Sequence, residues 1–265
     1  MKKFFAAVVS VAAIGGSLFA DGIEFKLDKP ADWSNTGSIK WVGEKKDVIE
    51  VTGQAMLTST KLFDVDYTKM YKLEADLKVV SGGPATAYFG FLPCDKNGVA
   101  IPASAVNQLP NSETAVAVAA KAGSKKMLLK ANPEWKNKGI WAVALNAKKD
   151  LSDLPNMDHL NIAAIKDVNG MIEVTLKAPL AKDVAAGTIV RAHLGGGYMY
   201  TGGWKKLAAG EKFEFKGAAK GRAKYGMGSS AWAPGAVKAR IIMLVNWDNP
   251  KTVSTVKDIE LEIKK

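Results

Sequence analysis

VKARIIMLVNWDNPKTVSTVKDIELEIKK closes the chain, from Val237 to Lys265. Within it, residues 241–245 (IIMLV) are an unbroken apolar run of strand length, the pattern of a strand covered on both faces, and Asp248-Asn249-Pro250 breaks the run. Ile259, Leu261 and Ile263 then alternate with Asp258, Glu260 and Glu262, so a second strand buries one face and wets the other. These two strands close a sheet, and the preceding chain has to supply their partners.

The partners are legible further upstream. Tyr71, Leu73, Ala75, Leu77 and Val79 alternate strictly with Lys72, Glu74, Asp76 and Lys78, and Gly82-Gly83-Pro84 ends that strand. Residues 87–92 form a more apolar strand, Asp95-Lys96-Asn97-Gly98 supplies a turn, and residues 99–101 are expected to return as a hairpin partner. Asp95 and Asn97 lack the later ligands of an EF-hand loop, so this is a β-turn. Nearer the start, Ile23, Phe25 and Leu27 alternate with polar residues, and residues 41–42 and 48–51 read as short strands around a charged turn.

From Asn111 to His193 the texture changes to short apolar segments and tight turns: residues 114–120, 126–129, 140–145, 172–176 and 189–190. Two readings of this stretch stand. Residues 111–193 form a small β-barrel or sandwich domain inserted into a main structure built from residues 21–110 and 194–265, or they continue one β-sandwich. Gly195-Gly196-Gly197 marks the return, Phe213 and Phe215 mark a further strand, and residues 220–234 read as a long loop. Helical periodicity is absent over any long window, so the expected fold class is all-β.

Lys2 and Lys3 precede an apolar segment that ends in small residues, the pattern of a secretory signal peptide over residues 1–20. The expected location is therefore secreted, periplasmic or cell-surface, with no membrane span after cleavage. About 245 residues remain, with Cys94 as the lone cysteine, so the core has to hold without an internal disulfide. Without Lys2 and Lys3 there are 35 basic and 26 acidic residues, a net charge of +9. Residues 205–240 hold nine of the bases against Glu211 and Glu214, which points to an anionic partner. Export argues against nucleic acid as the physiological one. No Gly-rich phosphate loop opens a helix, and no Cys/His spacing fits zinc.

Several of these segments together carry a resemblance. The Tyr71-Lys-Leu strand, the Tyr88-Phe-Gly-Phe hairpin with its Asp95-Lys-Asn-Gly turn, Phe213-Glu-Phe-Lys-Gly and Val256-Lys-Asp-Ile-Glu-Leu-Glu resemble jelly-roll carbohydrate-binding modules of the galactose-binding-like class. Phe63-Asp-Val-Asp-Tyr and Gly197-Tyr-Met-Tyr-Thr are similar to secreted bacterial domains that carry a small β insertion on that jelly roll. The resemblance spans residues 22–110 and 194–264 and implies a jelly-roll β-sandwich. It also implies a structural Ca²⁺ near the first and last strands, for which Asp258 is the candidate ligand.

Sugar rings offer apolar C–H faces that stack on aromatic rings. Tyr198, Tyr200, Trp204, Tyr225 and Trp232 lie in Gly-rich sequence beside Lys205, Lys206, Arg222 and Lys224, a mixture suited to an acidic polysaccharide. Each of these aromatics has core packing as its alternative role. Three functions follow from this reading: a non-catalytic secreted carbohydrate-binding protein, a polysaccharide lyase or hydrolase on a jelly roll, or a structural or adhesive envelope protein. Lys224-Tyr225 lacks the Tyr-x-Lys pattern of alginate-lyase jelly rolls, and His159 and His193 sit in no catalytic motif, which favours binding over catalysis.

Overall fold

The computed structural model describes residues 22–265, and the expected signal peptide lies outside the described residues. The strands are β1 (Gly22–Lys26), β2 (Trp33–Val42), β3 (Val48–Ser59), β4 (Phe63–Asp64), β5 (Met70–Ser81), β6 (Ala85–Cys94), β7 (Thr114–Ala115), β8 (Lys126–Leu129), β9 (Ile140–Leu145), β10 (His159–Val168), β11 (Met171–Leu176), β12 (Ile189–Leu194), β13 (Met199–Leu207), β14 (Lys212–Ala219), β15 (Lys238–Val245) and β16 (Val253–Lys264). A single turn of α-helix, α1 (Ala103–Val106), follows Pro102. The protein is an all-β sandwich of the jelly-roll kind with a second small β-barrel between its halves.

The first sheet runs β13-β6-β15-β3-β16-β5-β14, with β1 on β16, β2 on β3 and β4 on β15, every pair antiparallel. β13 and β14, the two ends of this path, pack together, so the sheet curls into a flattened barrel. Period-2 patterning decides what it encloses. Tyr71, Leu73, Ala75, Leu77 and Val79 of β5 face inward with Ile241, Met243 and Val245 of β15 and Phe89 and Phe91 of β6. Each such large apolar side chain contributes roughly 1.5–3 kcal/mol on burial. On β15 the opposite face is buried as well: Ile242 and Leu244 are covered although neither belongs to that core.

The second sheet runs β7-β12-β9-β10-β11-β8. Val116, just after β7, bridges back to Leu129 of β8, and this closes six strands into a barrel. Its core, from Val116 to Ala192, is separate from the first and includes Trp135, Val143, Val174 and Val190. Chain between Thr114 and Leu194 builds all of it, so the stretch does not continue the first sheet.

Between the two cores sits α1, whose four residues are all buried. Asn156 N–H donates to the Ala105 carbonyl at 2.9 Å, and Leu194 N–H donates to the Asn107 carbonyl at 2.7 Å. Residues 99–101, expected as a hairpin strand, make only a bridge from Ala100 to Cys94, because the chain turns at Pro102 into α1. The expected strands at 41–42 and 48–51 prove longer, as β2 and β3. The Gly-rich sequence around Tyr200 and Trp204 forms strand β13.

Candidate functional site

Four aromatic rings form a row on the outer face of the first sheet. Tyr88 and Trp204 are directly paired on β6 and β13, with ring centroids 6.3 Å apart. Tyr200 lies 4.7 Å from Tyr88, and Tyr198 lies 6.3 Å from Tyr200. The row is made possible by Gly90. A Cβ there would meet the Met199 carbonyl oxygen at 1.9 Å and the Tyr200 Cα at 2.6 Å. Only a glycine lets the β13 backbone lie this close to β6, and opposite it β13 carries a bulge between Met199 and Gly203.

From just before β13, Tyr198 reaches across the sheet. Its hydroxyl lies 3.8 Å from the Met56 sulfur, and Met56 is on β3, two strands beyond β6. The tyrosine therefore crosses β6 and β15, over the face that holds Ile242 and Leu244. Tyr198, Tyr200 and Tyr88 are half-buried, while Trp204 is 63% exposed at the open end. Burial pushes the Tyr200 hydroxyl pKa up, so that phenol stays neutral and available for hydrogen bonding. The platform is apolar in its faces and polar at its hydroxyl rims.

Beside Trp204 the rim is fixed by charge. Asp248 accepts hydrogen bonds from the Thr86 backbone N–H at 2.6 Å, the Thr86 hydroxyl at 2.9 Å and the Lys206 ammonium at 2.9 Å. The Lys206 hydrogen bond, with those from Thr86, holds the Asp248 carboxyl down to about 2. Trp247 is 41% exposed, and its backbone N–H donates to the Thr86 carbonyl at 2.8 Å.

The remaining residues expected at a site are placed elsewhere. Trp232 is a correction: it has no exposed surface and packs against Phe91 at 4.9 Å and Tyr71 at 5.0 Å, so no sugar can reach it. The loop containing it is anchored inward by this ring. Arg222 stands with its guanidinium carbon 6.0 Å from the Tyr67 ring. Tyr225 is exposed, and among the described residues no ring contact joins it to the platform. Tyr88, Met56 and Trp247 were not singled out by sequence, although an outward tyrosine in an otherwise apolar strand was a signal for the first.

Asp258 sits at a bulge of β16 with φ 51°, and the Lys257 ammonium bonds its carboxylate. Calcium needs six to eight oxygen ligands. Among the described residues no group of three or more His, Cys, Asp or Glu is gathered, and the Asp258 carboxylate is bonded by the Lys257 ammonium.

Both histidines belong to a buried clasp at α1. The Arg191 Nε–H donates to His193 Nε2 at 3.1 Å, and His193 Nδ1–H donates to the Ser104 carbonyl at 2.7 Å. His193 is thus the neutral tautomer, and burial pulls its pKa down to about 4. Arg191 also donates to Asp153 at 2.7 Å, and His159 links the Ser104 hydroxyl to the Asn156 carbonyl. The arrangement locks the junction of the two cores. Cys94 is buried, its thiol pushed up by burial, so it is a core residue.

No family model matches the chain, and no protein of curated function does. Among solved structures, the carbohydrate-binding module TmCBM27, described for specific mannan recognition, is 10% identical over 91% of this chain and 95% of its own, with a TM-score of 0.27. The carbohydrate recognition domain of Emp47p is 10% identical over 94% of this chain and 99% of its own, with a TM-score of 0.32. Peanut lectin bound to a nine-residue peptide is 10% identical over 91% and 99%, with a TM-score of 0.23. Among the described residues no helix is long and apolar enough to cross a membrane.

Proposed function

We propose that this is a secreted, non-catalytic carbohydrate-binding protein whose ligand lies along the platform of Tyr198, Tyr200, Tyr88 and Trp204. The observation that carries the reading is the row itself. Four rings share one outer sheet face, and the most exposed of them, Trp204, has no core role. A sugar would stack its C–H face on these rings while its hydroxyls met the tyrosine hydroxyls and the Thr86–Asp248–Lys206 rim. The basic stretch from Lys205 to Arg240, with nine bases against two acids, supports a preference for acidic polysaccharide. Export to the periplasm, the cell surface or the medium follows from the N-terminal pattern.

The test is a binding screen against neutral and anionic polysaccharides at low and about 0.5 M salt, with product assays alongside. Retention without product, lost in Trp204→Ala while the fold is kept, is the expected result. Release of reducing ends or unsaturated products would instead make the platform part of an enzyme.

A further inference from the structure

Directly opposed residues form rows across the outer face of β16, β5 and β14, a different stretch of the barrel wall from the platform. Three rows mix acids and bases: Lys257 with Asp76 and Glu214, Glu260 with Glu74 and Lys216, and Glu262 with Lys72. Lys257 reaches Asp76 at 3.7 Å, Lys216 reaches Glu74 at 3.6 Å and Glu214 at 2.7 Å, and Lys72 reaches Glu262 at 4.0 Å. One row across the three strands holds two bases and no acid. Thr255 stands opposite Lys78, and Lys78 stands opposite Lys212. Two ammonium groups thus share one row on neighbouring strands, with a hydroxyl at its end. Like charges in this position destabilise a sheet. Among the described residues no carboxylate pairs with either lysine.

The same row lines a concave cavity of about 530 Å³. The two carboxylates that also line it, Asp76 and Glu214, are already held by Lys257 and Lys216, so they do not neutralise the lysine pair. Net positive charge, a hydroxyl donor and concavity coincide at this one place on the face.

We propose that Thr255, Lys78 and Lys212 form a binding site for an oxyanion carried by a sugar, the carboxylate of a uronate or the sulfate of a sulfated residue. An oxyanion here takes charge-assisted hydrogen bonds from both ammonium groups and removes their mutual repulsion. Binding weakens with salt, because both lysines are exposed. The site does not depend on the platform's holding a sugar.

The test is an NMR titration of the protein with inorganic sulfate, a methyl hexuronide and a neutral methyl hexoside at low ionic strength. Sulfate or the hexuronide should shift the resonances of Lys78, Lys212 and Thr255, and which of them binds more tightly identifies the natural substituent. Lys78→Gln and Lys212→Gln should each weaken binding about tenfold, the usual worth of one hydrogen bond to a charged group. Lys166→Gln, on β10 of the second barrel, should leave it unchanged. Lys78→Gln should also raise the thermal midpoint of the ligand-free protein, since it removes the repulsion. Anion shifts absent from these three residues, or equal affinity in Lys78→Gln and wild type, would overturn the site. Failure of neutral sugars to bind the platform would count against the proposed function and leave this site standing.

Discussion

Acid should loosen the junction of the two cores through His193. In the unfolded chain this imidazole titrates near 6.5, whereas in the fold burial holds it down to about 4. Above pH 6.5 it is neutral in both states and exerts no pH dependence. As pH falls, the unfolded chain takes up a proton that the folded one refuses, so stability is lost between pH 6.5 and 4. The full gap is worth about 3 kcal/mol, of which about 2 kcal/mol is gone by pH 5. Protonation in place is costly because Nε2 already accepts from the Arg191 guanidinium and Nδ1–H already donates to Ser104, which leaves no acceptor for a second proton. Asp153, the counterion of Arg191, adds to the effect at lower pH. Burial pushes its carboxyl up, but hydrogen bonds from Asn156, the Lys148 backbone and Arg191 outweigh this and leave it below the ordinary value. The assay is urea denaturation at pH 7 and pH 5 for wild type and His193→Gln. Wild type should lose about 2 kcal/mol more than the variant between these pH values. Equal losses in the two proteins would refute the assignment of His193 as a buried neutral acceptor.

Packing at three residues sets further outcomes. Trp232→Ala should cost about 3–5 kcal/mol in a denaturant titration. Trp232→Phe should cost far less, since among the described residues the buried indole N–H has no partner to lose. Gly90→Ala should displace residues 198–200, because the new methyl would meet the Met199 carbonyl at 1.9 Å; near-UV circular dichroism of the tyrosines should change and glycan binding should fall. Cys94 should react with a thiol reagent at pH 8 only after denaturant is added, since the thiol is buried and its pKa is raised.

The all-β class was legible because β5, β15 and the end of β16 carry period-2 or continuous apolar patterns that no helix shares. The extent of other strands was not. Residues 34–38 (SNTGS) of β2 are polar because β2 pairs only with β3 and has an open edge. In β10 only Ile162 is fully buried, so alternation is weak there. β13 reads as a loop because of Gly202 and Gly203, yet Gly202 is demanded by the Phe89 ring, which a Cβ would meet at 2.7 Å. The candidate site was legible in part. Tyr198, Tyr200 and Trp204 stand together in sequence, but Tyr88, which joins them, comes from a strand far upstream. Trp232 shows the opposite failure: its neighbours are loop-forming Gly, Ser and Ala, and only the ring's insertion between Phe91 and Tyr71 reveals it as core.

The platform is tested most directly by following the indole N–H of each tryptophan by NMR during titration with the tightest glycan from the screen, with Trp204→Phe to assign the signal. The Trp204 indole should move in proportion to bound ligand while the buried Trp232 and Trp135 indoles stay fixed. Saturable binding that leaves Trp204 unmoved, or a Trp204→Phe protein whose tyrosine rings are also unperturbed by ligand, would contradict the platform.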